Sequence, residues 1–233
     1  MDSEFLLMGL TWYVVFLFST TCHEAAHALA AKLGGDMTAA LGGQVTLDPI
    51  PHIRREPFGM VVFPILTYLM GGWMMGWASA PYDPRWAQQY PRRAAWMSLA
   101  GPAANLTLSV LAGLAIRVGI MMHVLALPGS VGFTHIVASA HSGVGDGVAA
   151  LLSVMFSLNL LLGIFNLLPL PPLDGFGAVG LFLPEGGARS FQQLGAKMRG
   201  FSMIGMLIAW QVFNPVFRPV FRMAISALYP GRV

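Results

Sequence analysis

Residues 5–31 read Phe-Leu-Leu-Met-Gly-Leu-Thr-Trp-Tyr-Val-Val-Phe-Leu-Phe-Ser-Thr-Thr-Cys-His-Glu-Ala-Ala-His-Ala-Leu-Ala-Ala, and this run decides the fold. No charged side chain interrupts it from Phe5 to Cys22. A helix over the whole stretch would rise about 40 Å, enough to cross the roughly 30 Å hydrocarbon layer of a bilayer. Positions i and i+4 of a helix share a face, so the imidazoles of His23 and His27 can reach one metal ion. Glu24 lies about 100° round the helix from His23, near enough to meet a water on that ion without being a ligand. Two histidines and a carboxylate near the end of an apolar helix are costly unless they face partners or water.

The composition of the whole chain agrees with that opening. Hydrophobic residues fill 56% of 233 positions and charged residues only 10%. Soluble domains carry about a quarter charged residues, so this chain lacks the charge to cover a water-facing surface. The net charge is +3, with the basic residues gathered in short segments between apolar runs. That pattern suits loops against anionic lipid headgroups and offers no nucleic-acid surface. Cys22 is the single cysteine, which excludes an intramolecular disulfide; beside His23 but on another face, it reads as a small buried thiol. The N-terminal run lacks a basic leader and passes straight into the metal-binding pattern, so no cleavable signal is expected.

Four further stretches are nearly free of charge. Pro57–Tyr82 is broken by Pro64, Gly71 and Gly72; Ala94–Ile116 is a clean crossing; Gly147–Leu173 ends in prolines; and a last segment over residues 200–229 carries Pro215 and Pro219, with Arg218 and Arg222 facing headgroups. Trp73, Trp77 and Trp96 read as interfacial. Of the polar connectors, Gly34–Glu56 contains Gln44-Val45-Thr46-Leu47-Asp48, whose alternation reads as a short strand. Pro81–Arg93 and Pro184–Arg199 are basic and therefore expected on the cytoplasmic side, whereas Gly129–Asp146 is not. If residues 5–31 also end inside, Pro57–Tyr82 must start and finish on the same side, as a re-entrant segment shielded by protein.

Catalytic zinc takes three protein ligands and leaves a fourth position open. The third ligand has several candidates: Asp174, Asp146, His135, His141, His52 and Asp48. Asp174 stands out in Leu168-Pro169-Leu170-Pro171-Pro172-Leu173-Asp174-Gly175, where the prolines stop a helix and stiffen the chain. The competing reading is an Asp that caps the next helix.

His23-Glu24-x-x-His27 on the first apolar helix, together with Asn166-x-x-Pro169-x-Pro171-Pro172-Leu173-Asp174-Gly175 on a later one, resembles the site-2 protease family of intramembrane metalloproteases. Ala100-Gly101-Pro102-x-x-Asn105 matches that family's middle-helix element, and Gly43 to Gly59 is similar to a strand-and-loop stretch in its compact prokaryotic members. The resemblance runs in order over residues 5–183. It implies one zinc ion held by His23, His27 and Asp174, with Glu24 activating water. It further implies a transmembrane helix, partly unwound, as substrate.

The expected protein is thus an all-α polytopic membrane protein, a single domain over residues 1–233. It has a three-helix catalytic core, additional membrane segments and a small membrane-associated β element. It sits in a bacterial or archaeal cell membrane with its site toward the cytoplasm. Its partners are the bilayer and a membrane-spanning protein or peptide, with room for a regulatory membrane protein. Asn166 and Asn105 are candidates for substrate contact, the second competing with a helix-packing role suggested by Gly101, Ala103 and Ala104. Gly43, Gln44 and Val45 are candidates for pairing with an unwound substrate by edge addition. Two rival readings are a zinc-binding transporter or channel and a non-catalytic membrane adaptor; neither needs Glu24 as a base.

Overall fold

The structure is a computed structural model that describes residues 2–141 and 143–231. In chain order its helices are α1 (Ser3–Gly34), α2 (Thr38–Leu41), α3 (Pro49–Arg55), α4 (Phe63–Gly71), α5 (Pro84–Gln89), α6 (Pro91–Met121), α7 (Val144–Asn166), α8 (Asp174–Ala178), α9 (Glu185–Met198) and α10 (Ser202–Leu228). Helix makes up 75% of the chain, so the all-α expectation holds. Among the described residues α1, α6 and α7 are each long and apolar enough to cross a membrane, and α9 with α10, bent by 103°, forms a fourth candidate. This is a multi-pass membrane protein.

Helix α1 starts and stops where its sequence provides caps. Asp2 accepts a hydrogen bond from the Phe5 amide at 2.8 Å, and Gly35 adopts φ +98 just past the end. That left-handed residue lets the Asp36 amide close onto the Ala31 carbonyl at 2.8 Å. Leu6, Leu7 and Leu10 on α1, and Val110, Leu111 and Leu114 on α6, are all more than half exposed. Outward-facing rows of this kind suit a lipid solvent rather than water.

The chain packs as two compact units. The first comprises residues up to Thr21, Asp48–Ser79 and Asn105–Leu160. Its interior is polar at one place. Asn105, with no exposed surface, donates through Nδ2 to Asn159 Oδ1 at 2.8 Å and to the Ser19 carbonyl at 3.3 Å. Asn159 donates in turn to Ser19 Oγ at 2.8 Å. Asn105 therefore ties α1, α6 and α7 together, and its burial removes it from the candidates for substrate contact.

Within this unit the Pro57–Tyr82 run doubles back. A π-helical turn at Phe58–Val62 leads into α4, which ends where Gly72 takes φ +72. The chain then returns extended, and the Trp77 amide donates to the Gly59 carbonyl at 3.1 Å. Ser79 closes the base, accepting from Arg55 Nε at 3.1 Å and donating to Glu56 Oε1 at 2.6 Å. The 14-residue apolar helix Phe58–Gly71 rises only about 21 Å, short of a crossing.

The second unit comprises Cys22–Leu47, Ala80–Ala104 and Leu161 onward. The Gly34 carbonyl at the end of α1 accepts from Trp86 Nε1 at 3.0 Å and from Arg93 Nη1 at 3.1 Å. Asp36, 4% exposed, accepts from Thr38 Oγ1, the Thr38 amide and the Asp83 amide at 2.5, 3.0 and 2.9 Å. Burial pushes its carboxyl up, but those hydrogen bonds outweigh burial and hold it below the ordinary carboxylate range.

Two expectations need correction. The stretch Gln44 to Asp48 forms no strand. The amides of Gly43 and Gln44 turn back to the carbonyls of Ala40 and Ala39, each at 3.0 Å, which continues the end of α2 and leaves no ladder edge. The small β element lies instead at Leu125–Ala126 and Ala138–Ser139, paired antiparallel and pinned to α7 where Ser153 Oγ accepts from the Ile136 and Val137 amides. The basic connector Pro184–Arg199 is mostly the helix α9, which buries Ala188 and exposes Arg189 and Lys197. The last segment, expected over residues 200–229, is α10, which runs on through Pro215 and Pro219. An interior proline costs about 3 kcal/mol, offset here by the buried row Gly205, Ala209, Phe213 and Phe217 at four-residue spacing.

Replacing Asn105 with Ala would strand Asn159 Oδ1 in the interior. Thermal unfolding in detergent is expected to register a loss of about 1–3 kcal/mol, with bound zinc per chain unchanged. A loss of zinc at unchanged stability would contradict the packing role.

Candidate metal centre

Helix α1 carries His23 and His27 one turn apart, 8% and 6% exposed. Their Nε2 atoms lie 3.0 Å from each other. The Nδ1 of His27 lies 2.7 Å from the carbonyl oxygen of Met97 on α6. A carbonyl only accepts, so Nδ1 holds the proton there and the Nε2 of a neutral ring is left with its lone pair. Past α7, the turn over residues 167–173, with a cis bond between Pro171 and Pro172, delivers Asp174 as the first residue of α8. Its Oδ2 lies 3.0 Å from His23 Nε2 and 3.2 Å from His27 Nε2. The alternative role of capping α8 falls to no side chain: Leu173 occupies the cap and makes no such bond.

While that ring is neutral, lone pairs of an imidazole and a carboxylate face each other, which is repulsive unless a proton or a metal cation sits between them. Tetrahedral zinc with bonds of about 2.0–2.2 Å separates neighbouring ligand atoms by about 3.3–3.5 Å, so the observed triangle of 3.0, 3.0 and 3.2 Å needs to open by only a few tenths. The space is preserved by Gly101 on α6, where a Cβ would overlap the Nε2 atoms of both His23 and His27. Two imidazoles, one carboxylate and an open cradle fit a zinc ion with a coordination position to spare. Arg93, Met97 and Gly101 stand at four-residue spacing on one face of α6 and touch, in order, Gly34, His27 and the histidine pair. Helix α6 therefore lies antiparallel along α1 in a register that orients one ligand and leaves room for the ion.

Burial opposes ionisation of Asp174, yet the charges and hydrogen bonds of His27 and His23 more than offset it and hold the carboxyl well below its usual range. Glu24 is buried, at 6% exposure. It lies close enough to His27 to interact with it electrostatically, and among the described residues no hydrogen bond to its carboxylate is recorded.

Of the candidates for third ligand, the structure brings only Asp174 to the histidines, and among the described residues these three form the one group able to share an ion. Asp48 caps α3, accepting from the Ile50 amide at 2.9 Å. Asp146 accepts from the Gly143 amide at 2.9 Å. His52 is buried in α3, His135 pairs with Thr134 at 2.9 Å, and His141 is exposed. Asn166 donates through Nδ2 to its own helix at the Leu162 carbonyl, 3.0 Å away. Gln44 is buried at 2% exposure, while Gly43 is exposed. The sequence reading missed the Met97 carbonyl, since any residue supplies one. It treated Gly101 as a helix-packing glycine; the signal was the four-residue row from Arg93.

Gly101→Ala should therefore abolish or weaken zinc binding by at least about 100-fold, a loss at the upper end for groups that support metal ligands. Competition with a chelator measures it, and circular dichroism checks that the helices persist. Normal affinity in this variant would contradict the cradle.

Comparison with known proteins accords with this geometry. A family model described as Peptidase family M50 matches residues 119–209. YwhC of Bacillus subtilis (strain 168), described as a candidate zinc metalloprotease, is 31% identical over 210 residues, which are 86% of this chain and 84% of its own. Rip2 of Mycolicibacterium smegmatis, described in the same way, is 29% identical over 214 residues, or 91% of this chain and 70% of its own. No solved structure matches the chain. With ligand-type side chains converging inside apolar helices and a relative of this similarity along most of its length, the chain belongs to peptidase family M50, the site-2 proteases, which are zinc metalloproteases of membranes.

Proposed function

We propose that this protein is an intramembrane zinc endopeptidase that hydrolyses peptide bonds in transmembrane or membrane-associated protein segments. In this reading His23, His27 and Asp174 are the ligands and Glu24 is the general base. The carrying observation is the convergence of Nε2, Nε2 and Oδ2 within 3.0–3.2 Å of one another on a helix apolar enough to cross a bilayer. Zinc, when bound, supplies Lewis acidity to the attacking water and to the scissile carbonyl.

The chain's own groups do the rest. His27 is held by its Nδ1–H to Met97, which keeps Nε2 aimed at the ion. Glu24, next to His23 and buried, takes the proton of the attacking water and passes it to the leaving amine. His23 lies about 30 Å along α1 from its first residue, toward the end of that helix whose last carbonyl is bound by Arg93. The basic character of residues 81–93 supports a cytoplasmic position for that end. A substrate helix must unwind to present a peptide bond there. Since the Asn166 amide nitrogen is committed to Leu162, a contact from Asn166 to substrate would use Oδ1 to accept a peptide N–H. Edge pairing at Val45 has no support, because the preceding amides serve α2.

Purified wild type and Glu24→Gln, each incubated with a panel of transmembrane peptides, test the reading. Both should carry one zinc, and cleavage should fall by about 10²–10⁴-fold in the variant. A variant that loses its metal would make Glu24 a ligand, as a transport site would use it; undiminished cleavage would place the base elsewhere.

A further inference from the structure

The segment that carries Asp174 is too short to place itself. Helix α8 has five residues, and an isolated helix of that length does not persist in the absence of packing. Gly177 packs against Ser98 of α6, and two further contacts, with α10 and α9, bracket the carboxylate. On the N-terminal side, Pro171 lies against Gly205 of α10 so closely that a Cβ at Gly205 would overlap the Pro171 carbonyl oxygen. On the C-terminal side, the ring of Phe176 stacks on Phe191 of α9, with centroids 4.5 Å apart and planes at 29°. Gly195, the next turn of α9, leaves space for the same ring: a Cβ there would stand 2.8 Å from it. These contacts fall three residues before Asp174 and two after it. The histidines belong to α1, and Met97 and Gly101 of α6 contact them.

We propose that Gly205 and the Phe176–Phe191 stack are positioning residues through which α9 and α10 set the Asp174 carboxylate against His23 and His27. Metal affinity is then governed by residues distant in sequence from all three ligands, and by way of one ligand alone. The proposal rests on the reading of Asp174 as a ligand.

The test measures zinc affinity of the full-length detergent-purified protein by chelator competition, together with the visible spectrum of the cobalt-substituted form. Asp174→Ala comes first: if it leaves affinity and spectrum unchanged, the ligand reading itself has failed. With that arm positive, Gly205→Ala is expected to weaken zinc by about 10-fold or more and to shift the cobalt bands. In the Asp174→Ala background the same substitution should have less than about a twofold effect, because coupled residues are not additive. Phe191→Ala should behave like Gly205→Ala, and Phe191→Tyr, which keeps the stack, should restore affinity; this pair carries the test if Gly205→Ala does not fold. Equal losses with and without Asp174, or wild-type affinity in both Gly205→Ala and Phe191→Ala, would overturn the positioning role.

Discussion

Three ligand-type atoms brought to within 3.0–3.2 Å of one another, in helices whose outer faces are apolar, form an arrangement that needs a shared cation, a proton or a metal ion. The proton of His27 is engaged by Met97, so its inner nitrogen offers electron density toward a carboxylate that already has an excess. A metal ion resolves the conflict, and the fold can be read as the set of packings that keep those atoms converged while the surrounding side chains face lipid or each other.

The largest contribution to that convergence comes from α6. Arg93, Met97 and Gly101 present, turn after turn, a donor for the end of α1, an acceptor for one ligand, and empty space for the ion. The row continues to Asn105, whose amide reaches the Ser19 carbonyl. One helix face thus alternates hydrogen-bonding groups with a bare backbone position, and a shift of a single residue in register would set a side chain where the ion belongs. Register between apolar helices is weakly specified when leucines slide against leucines; polar contacts at four-residue spacing fix it. The Gly34 carbonyl, taking two side-chain donors at once, does the same at the helix end.

How much of this was legible beforehand follows from how local each signal is. The spanning helices and the pair His23 and His27 are written in neighbouring residues, and periodicity suffices to place them. The break in residues 57–82, where the chain turns back at Gly72, was legible from the glycine pair. By contrast, alternation in Gln44–Asp48 suggested a strand because it describes side chains, whereas the amides of Gly43 and Gln44 turn back onto α2. The residues that became β1 and β2, Leu125–Ala126 and Ala138–Ser139, are too few for any pattern. Asp174 was one of six candidates from local chemistry, and only tertiary contact with α1 separates it from Asp48 and Asp146, each of which bonds a nearby backbone amide.

The three proposed ligands also differ in what holds them. His23 and His27 share one helix of 32 residues and cannot move apart without bending it, so their spacing is fixed by the helix itself. Asp174 begins a five-residue helix after a proline-rich turn, and its place is borrowed from α9 and α10. Two ligands on a stiff element and one on a dependent element make a centre whose affinity can change without disturbing the membrane-spanning core. The family match reaches from the end of α6 into α10, so it takes in the carboxylate together with part of the packing that positions it, while leaving out the histidines.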